Sequence, residues 1–163
     1  RRTAFVVACN DALGRDGRVG PERAGSVPAF PLIEMCFSGK YTKAEIKKML
    51  VGKGGAVAHL GTNDFRGIVT RAEEGDQECA TFLKAFCISV AKYIGSMATV
   101  VCGKVDAIVL TGGIAYSKYI TSEIASMVEF IAPVEVYGGE NELESLAENG
   151  YGILSGEFEI NYY

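Results

Sequence analysis

The 163-residue sequence contains no tryptophan and one histidine, His59. A single histidine leaves little room for a Ser-His-Asp or Cys-His arrangement, and the glycine-bounded segment around it offers no obvious partner. Set between apolar residues, His59 reads as a satisfied, partly buried structural side chain. Cysteine is sparse and odd in number: Cys9, Cys36, Cys79, Cys87 and Cys102, with no CxxC pair. That argues against structural zinc and for free, buried thiols in a reducing compartment. Positive charge falls short of negative, 16 Lys and Arg against 20 Asp and Glu, a formal net charge of −4. Broad nucleic-acid binding needs a basic face to displace counterions, so no nucleic-acid partner is expected, despite a local group at Lys40, Lys43, Lys47, Lys48 and Lys53. No apolar run reaches the ~20 residues of a membrane span, and the opening RRTAFVVACN is too short for a secretion signal. The expectation is a cytoplasmic protein with no membrane partner. Without an initiator Met, the chain also looks like a piece of something longer.

What remains is ordinary for one globular domain: 48% hydrophobic and 22% charged residues. Thr3 to Asn10 is a β-branched and aromatic run, read as a strand. The following loop carries Gly14, Gly17, Gly20, Gly25, Pro21 and Pro28. It cannot hold a regular helix, and a short hairpin across Asp16-Gly17 fits its composition. Pro31 opens a short helix closed by Gly39. Thr42 with Glu45 is a capping-box signal for a helix through Val51, terminated by Gly52, Gly54 and Gly55. The structure of AVAHLG is left open.

Asp76 begins the longest element. Ala80, Leu83, Cys87, Val90, Ala91, Ile94 and Ala98 recur at helical spacing over about 25 residues, with Phe82, Phe86 and Met97 beside the stripe. This predicts a core helix buried between layers. KVDAIVLTGG is a strand whose continuous apolar stretch, Ala107 to Leu110, suits a parallel sheet covered on both faces. A helix from Tyr116 to Phe130, a strand at APVEVYGG and a helix from Glu142 to Asn149 complete an α/β pattern with a mostly parallel sheet. Ligands in such sheets lie at the carboxyl ends of strands, here Thr111-Gly112-Gly113 and Gly138-Gly139.

Four groups have the chemistry of an anion or nucleotide site. In VLTGGIAYSK two glycines let the backbone approach a ligand at a helix start, where free N–H groups favour phosphate. The segment is neither a P-loop nor a GxGxxG fingerprint, and a ligand-free tight turn explains it equally well. In HLGTNDFRG, Asp64 can accept two ribose hydroxyls and Arg66 can grip phosphate or stack on a base; a surface turn with a charged pair is the even alternative. Arg23, in GPERAG, could hold a transferring phosphoryl group, although pairing with Glu22 in a structural loop is the simpler account. Glu140, Glu142 and Glu144 could hold Mg²⁺ through water, but complementing a helix dipole explains them more simply.

At these loops the sequence resembles the butyrate kinases, of the acetate kinase branch of the sugar kinase/Hsp70/actin superfamily. The matching stretches are NDALGRDGRVGPERAGSVP, MCFSGKYTKAEIKKMLVGKGG, HLGTNDFR, KVDAIVLTGGIAYSKYI and FIAPVEVYGGENELESLA, in family order through nearly the whole chain. The resemblance implies that residues 1–163 form one ribonuclease H-like lobe, the C-terminal one, with a mixed, mostly parallel sheet flanked by helices, the first lobe being absent. It implies phosphoryl transfer between ATP and a short-chain carboxylate such as butyrate, giving acyl phosphate and ADP, with Mg²⁺. The implied partners are adenine nucleotide, carboxylate or acyl phosphate, the missing lobe and a second copy in a homodimer. Arg23 falls on the family's catalytic arginine, Asp64 and Arg66 on its nucleotide-side Asp-x-Arg, and Gly112, Gly113 and Ile114 on its Gly-Gly-Ile segment. Glu142 falls on the metal-associated glutamate, with Glu140 the competing alignment. One departure is Ala8, where many relatives carry an Asp.

Overall fold

The computed structural model describes residues 17–139 and 142–158. The elements are α1 (Ala29–Phe37), α2 (Lys43–Leu50), α3 (Gly55–Leu60), α4 (Phe65–Glu73), α5 (Gln77–Val100), β1 (Ile108–Gly112), a 3-10 turn (Gly113–Tyr116), α6 (Lys118–Val128), β2 (Val134–Gly138) and α7 (Glu142–Leu154). Local chemistry explains several boundaries. At α2 the Thr42 hydroxyl accepts from the Glu45 N–H at 3.3 Å, and the Glu45 carboxylate accepts from the Thr42 N–H at 2.7 Å. At α5 the Asp76 carboxylate accepts from the N–H groups of Glu78 and Cys79 and pairs with Arg71 at 2.7 Å. Those bonds, the Cys79 N–H first, hold the Asp76 carboxyl below its usual range.

The core forms where α4, the first half of α5 and α6 meet. Ile68 of α4, Leu83, Phe86 and Cys87 of α5, and Ile120 and Val128 of α6 are buried. The Phe65 ring meets Phe86 edge-on at 5.0 Å and Phe82 at 6.2 Å, an arrangement that aromatic quadrupoles favour. Cys79 and Cys87 are free and buried as expected, whereas Cys36 and Cys102 are exposed; Cys9 lies outside the described residues. Burial pushes the Cys87 thiol up to about 11.

The expected α/β architecture, a mixed and mostly parallel sheet flanked by helices, is not what the described residues form. They are mostly helical, with one sheet of two parallel strands in which Ile108 faces Val134 and Gly112 faces Gly138. Both strands fall where the sequence places them; the Thr3–Asn10 run lies outside the described residues. The difference arises because AVAHLG and the segment after Asp64 are helices, α3 and α4, and because helices pack on helices rather than across a sheet. The sheet is also covered on one face only. Ile108 is buried toward α5 and α6, while Val109 is 58% exposed on the other side.

The long helix departs from expectation in the same way. Its first half is core, but Ile88 and Val100 are exposed and Val90, Ala91 and Ile94 only half-buried. By length and composition alone α5 would suffice to cross a membrane. Its packing against α4 and α6 is that of a core helix along the first half.

Candidate functional site

β1 ends at Gly112, whose φ of 90° is readily adopted only without a side chain. The backbone of Gly112 exchanges hydrogen bonds of 3.2 Å with Gly139, closing the strand ends. The 3-10 turn follows, and the Ser117 hydroxyl then caps α6 by accepting from the Ile120 N–H at 3.4 Å. Tyr116 of this turn lies over Gly138-Gly139. A Cβ on Gly138 would come within 2.8 Å of the ring, and one on Gly139 within 2.5 Å of its hydroxyl. The second glycine pair is therefore the bed for an aromatic side chain, a role its sequence does not advertise.

The opposite wall is the start of α4. Asp64 is its N-cap: one carboxylate oxygen accepts from the Arg66 N–H at 3.1 Å, and the Thr62 hydroxyl accepts from the Asp64 N–H at 3.1 Å. The other oxygen lies against Gly67, where an added Cβ would approach to 2.8 Å. The Asp64–Arg66 pair, for which a nucleotide contact and a surface turn were even readings, begins a helix whose cap Asp64 makes to backbone, with both side chains exposed. The signal was present: Phe65, Ile68, Val69 and Ala72 repeat at helical spacing behind Asn63-Asp64.

Between these walls lies a cleft of about 630 Å³ lined by Asp64, Phe65, Arg66, Gly113, Ile114 and Tyr116, among others. That volume is in the range of small-molecule sites, ~300–1,000 Å³. The fold therefore brings Asp64, Arg66, Gly113 and Ile114 to one surface from segments far apart in the chain, with Gly112 adjoining it. Tyr116 and Asn63 are lining residues that sequence reasoning missed.

Arg23 is not in this lining. It sits on the exposed glycine-rich loop, in an isolated antiparallel bridge with Val51. That loop is fastened to the α2–α3 junction: the Glu22 carbonyl accepts from Gly52 and Gly54, and those of Gly20 and Pro21 from Ala56 and Val57. A Cβ on Gly55, whose φ is 58°, would collide with the Gly20 carbonyl oxygen, so glycine is required there. A 2.7 Å hydrogen bond from the Asn63 amide to Glu22 ties the Arg23 loop to the rim of the cleft. Glu22 is therefore engaged by Asn63.

Among the described residues, no group of three or more Asp, Glu, His or Cys side chains is placed to hold a metal ion. Glu140 lies outside the described residues, as does Ala8; Glu142 opens α7. His59, expected to be partly buried, is exposed at the end of α3 with its ring 5.8 Å from Phe82.

Comparison with known proteins adds the following. A curated probable butyrate kinase of Bacteroides thetaiotaomicron is 51% identical over 158 residues, 97% of this chain and 45% of the relative. Butyrate kinase 1 of Clostridium acetobutylicum is 49% identical, with 97% and 44% covered. This chain thus spans less than half the length of the curated relatives it matches. Among solved structures, acetate kinase of Porphyromonas gingivalis superposes with a TM-score of 0.74 at 20% identity, covering 85% of this chain and 41% of that one. A propionate kinase of Francisella tularensis gives 0.65 at 25% identity, covering 78% and 39%. The acetokinase family matches residues 17–153, and the chain belongs to that family.

Proposed function

We propose that this chain is the nucleotide-side C-terminal lobe of a cytoplasmic carboxylate kinase, which in the whole protein transfers a phosphoryl group between ATP and a short-chain carboxylate such as butyrate. The observation that carries this is the single cleft lined by Asp64, Arg66, Gly113 and Ile114. Family membership and the names of the curated relatives support the reaction class.

In this reading the Gly112-Gly113 backbone receives the nucleotide closely, and Asp64 and Arg66 hold it from the α4 side. Asp64 keeps an oxygen for ribose beyond the one that caps α4. Arg23, delivered by a loop anchored to the cleft rim through Glu22 and Asn63, bears the charge that develops on the transferring phosphoryl group. The acceptor carboxylate is ionised at pH 7, so in-line attack by its oxygen on the γ-phosphorus requires no general base. That agrees with a chain holding one histidine. Family membership implies Mg²⁺ beside the nucleotide, with Glu142 or Glu140 as the candidate ligands. Because the described residues form no cage for it, no step is assigned to the ion. The half-exposed second half of α5 is the surface proposed for a homodimer.

A second reading, a nucleotide-binding module without catalysis, draws on Ala8 and on the position of Arg23 outside the cleft lining. Calorimetric titration with Mg-ADP, beside a hydroxamate assay for acyl phosphate with butyrate and ATP, separates the two. Binding without turnover by this chain, with turnover once the first lobe is supplied, is the expected result. Binding that never leads to acyl phosphate would favour the module, and no binding would overturn both.

A further inference from the structure

Asn63 belongs to two surfaces at once. It lines the cleft, one residue before the Asp64 cap of α4. The same carboxamide donates to the Glu22 carboxylate at 2.7 Å, across 41 residues of chain, and Glu22 directly precedes Arg23. A carboxamide has two N–H donors and a carbonyl acceptor, so holding Glu22 leaves capacity for a ligand. Both residues are exposed, so water competes for the bond while the carboxamide is unrestrained.

The other fastenings of the Arg23 loop lie away from the cleft. The Gly52 and Gly54 N–H groups donate to the Glu22 carbonyl at 2.8 and 3.1 Å, and the Ala24 N–H donates to Leu50 at 2.9 Å. These bonds tie the loop to the end of α2 and the approach to α3, and neither helix supplies a residue to the cleft lining. Further along, the hydroxyls of Ser26 and Tyr93 of α5 share a hydrogen bond of 3.0 Å, and Tyr93 is no part of that lining either. The backbone bonds thus set where the loop runs. The Glu22–Asn63 bond sets how it lies against the cleft wall, within reach of whatever fills the cleft.

We infer that Asn63 is a positioning residue, which senses nucleotide in the cleft and, through Glu22, steadies the Arg23 loop. This rests on the nucleotide reading of the cleft. It adds a route from bound nucleotide to an arginine that stands outside the cleft lining. Contact with nucleotide fixes the carboxamide, and the fixed carboxamide holds Glu22 and the loop behind it more firmly.

The test is an amide NMR titration of the 163-residue chain with Mg-ADP, followed at Gly20 and Ala24 in the loop and at Arg66 and Gly113 in the cleft. All four amides should shift along one saturation curve. Glu22→Ala should abolish the shifts at Gly20 and Ala24 and keep those at Arg66 and Gly113. Its Mg-ADP affinity should fall by no more than about fivefold, because the coupling cannot exceed the worth of one hydrogen bond. Glu22→Gln, whose carbonyl still accepts from Asn63, should restore the loop shifts. Tyr93→Phe removes the other side-chain fastening and should leave those shifts intact, which a general loosening of the loop would not. Four results would overturn the inference and leave the nucleotide reading standing: cleft shifts without loop shifts in the starting chain, loop shifts that persist in Glu22→Ala, no rescue by Glu22→Gln, or equal loss in Tyr93→Phe. Silence at all four amides would instead remove the nucleotide reading, and this inference with it.

Discussion

The two halves of α5 carry the same apolar periodicity but have different surroundings. Cys79, Phe82, Leu83, Phe86 and Cys87 of the first half are all buried against α4 and α6. In the second half Ile88 and Val100 are exposed at 42% and 45%, and Val90, Ala91 and Ile94 only half-buried. Periodicity sets which face of a helix is apolar, but only neighbouring elements determine whether that face is covered. The candidate cleft is mounted on the covered half. Phe65 and Ile68 of α4, and Ile120 of α6, anchor its walls in the core shared with Phe86 and Cys87. The less covered half is left for another surface.

The sharpest contrast should come from thiol labelling. Cys87, in the covered half, has its thiol pushed up to about 11. At pH 8, about three units lower, roughly one molecule in a thousand would be a thiolate. Cys102, exposed just beyond the other end of α5, should react at least a hundredfold faster with iodoacetamide, as read by peptide mass spectrometry. Equal rates would erase the distinction between the halves. Next in size, Phe86→Ala removes a ring that is 2% exposed and should cost about 3–5 kcal/mol in urea unfolding. A loss below about 1 kcal/mol would mean that the covered half is not the core.

Arg66→Ala sharpens the contrast between platform and site. It should weaken Mg-ADP by about tenfold, the scale of one hydrogen bond to a charged group, with little change in melting temperature. The smallest effect is expected from Ile94→Ala in the second half. Its cost should be about 1 kcal/mol or less, well under that of Phe86→Ala, because a half-covered side chain leaves little cavity behind. A cost equal to that of Phe86→Ala would place the second half in the core as well.

Features set by neighbours in sequence were legible in advance. The Thr42–Glu45 capping box and the start of the long helix at Asp76 each depend on residues within three positions, and both formed as read. α4 was missed because Gly61, Gly67 and the Asp64–Arg66 pair suggested a turn, although the Asp64 carboxylate caps a helix. Layering was not legible, since whether Val109 is covered depends on elements remote in the chain. Cys36 misled for a similar reason: its apolar neighbours Phe30 and Phe37 in α1 are themselves exposed. Within the site, Gly113 was readable from a strand running into glycines, and Ile114 came only from the family resemblance. Their approach to Asp64 and Arg66, and the seating of Tyr116 on Gly138-Gly139, depend on tertiary packing.

The most direct test of the central claim is hydrogen–deuterium exchange of the chain with and without saturating Mg-ADP. The account predicts that nucleotide slows exchange at residues 63–69 and 112–120, the two walls of the cleft, with little change along the second half of α5. Protection that spares both walls, or no protection at saturation, would contradict the assignment of this cleft to the nucleotide.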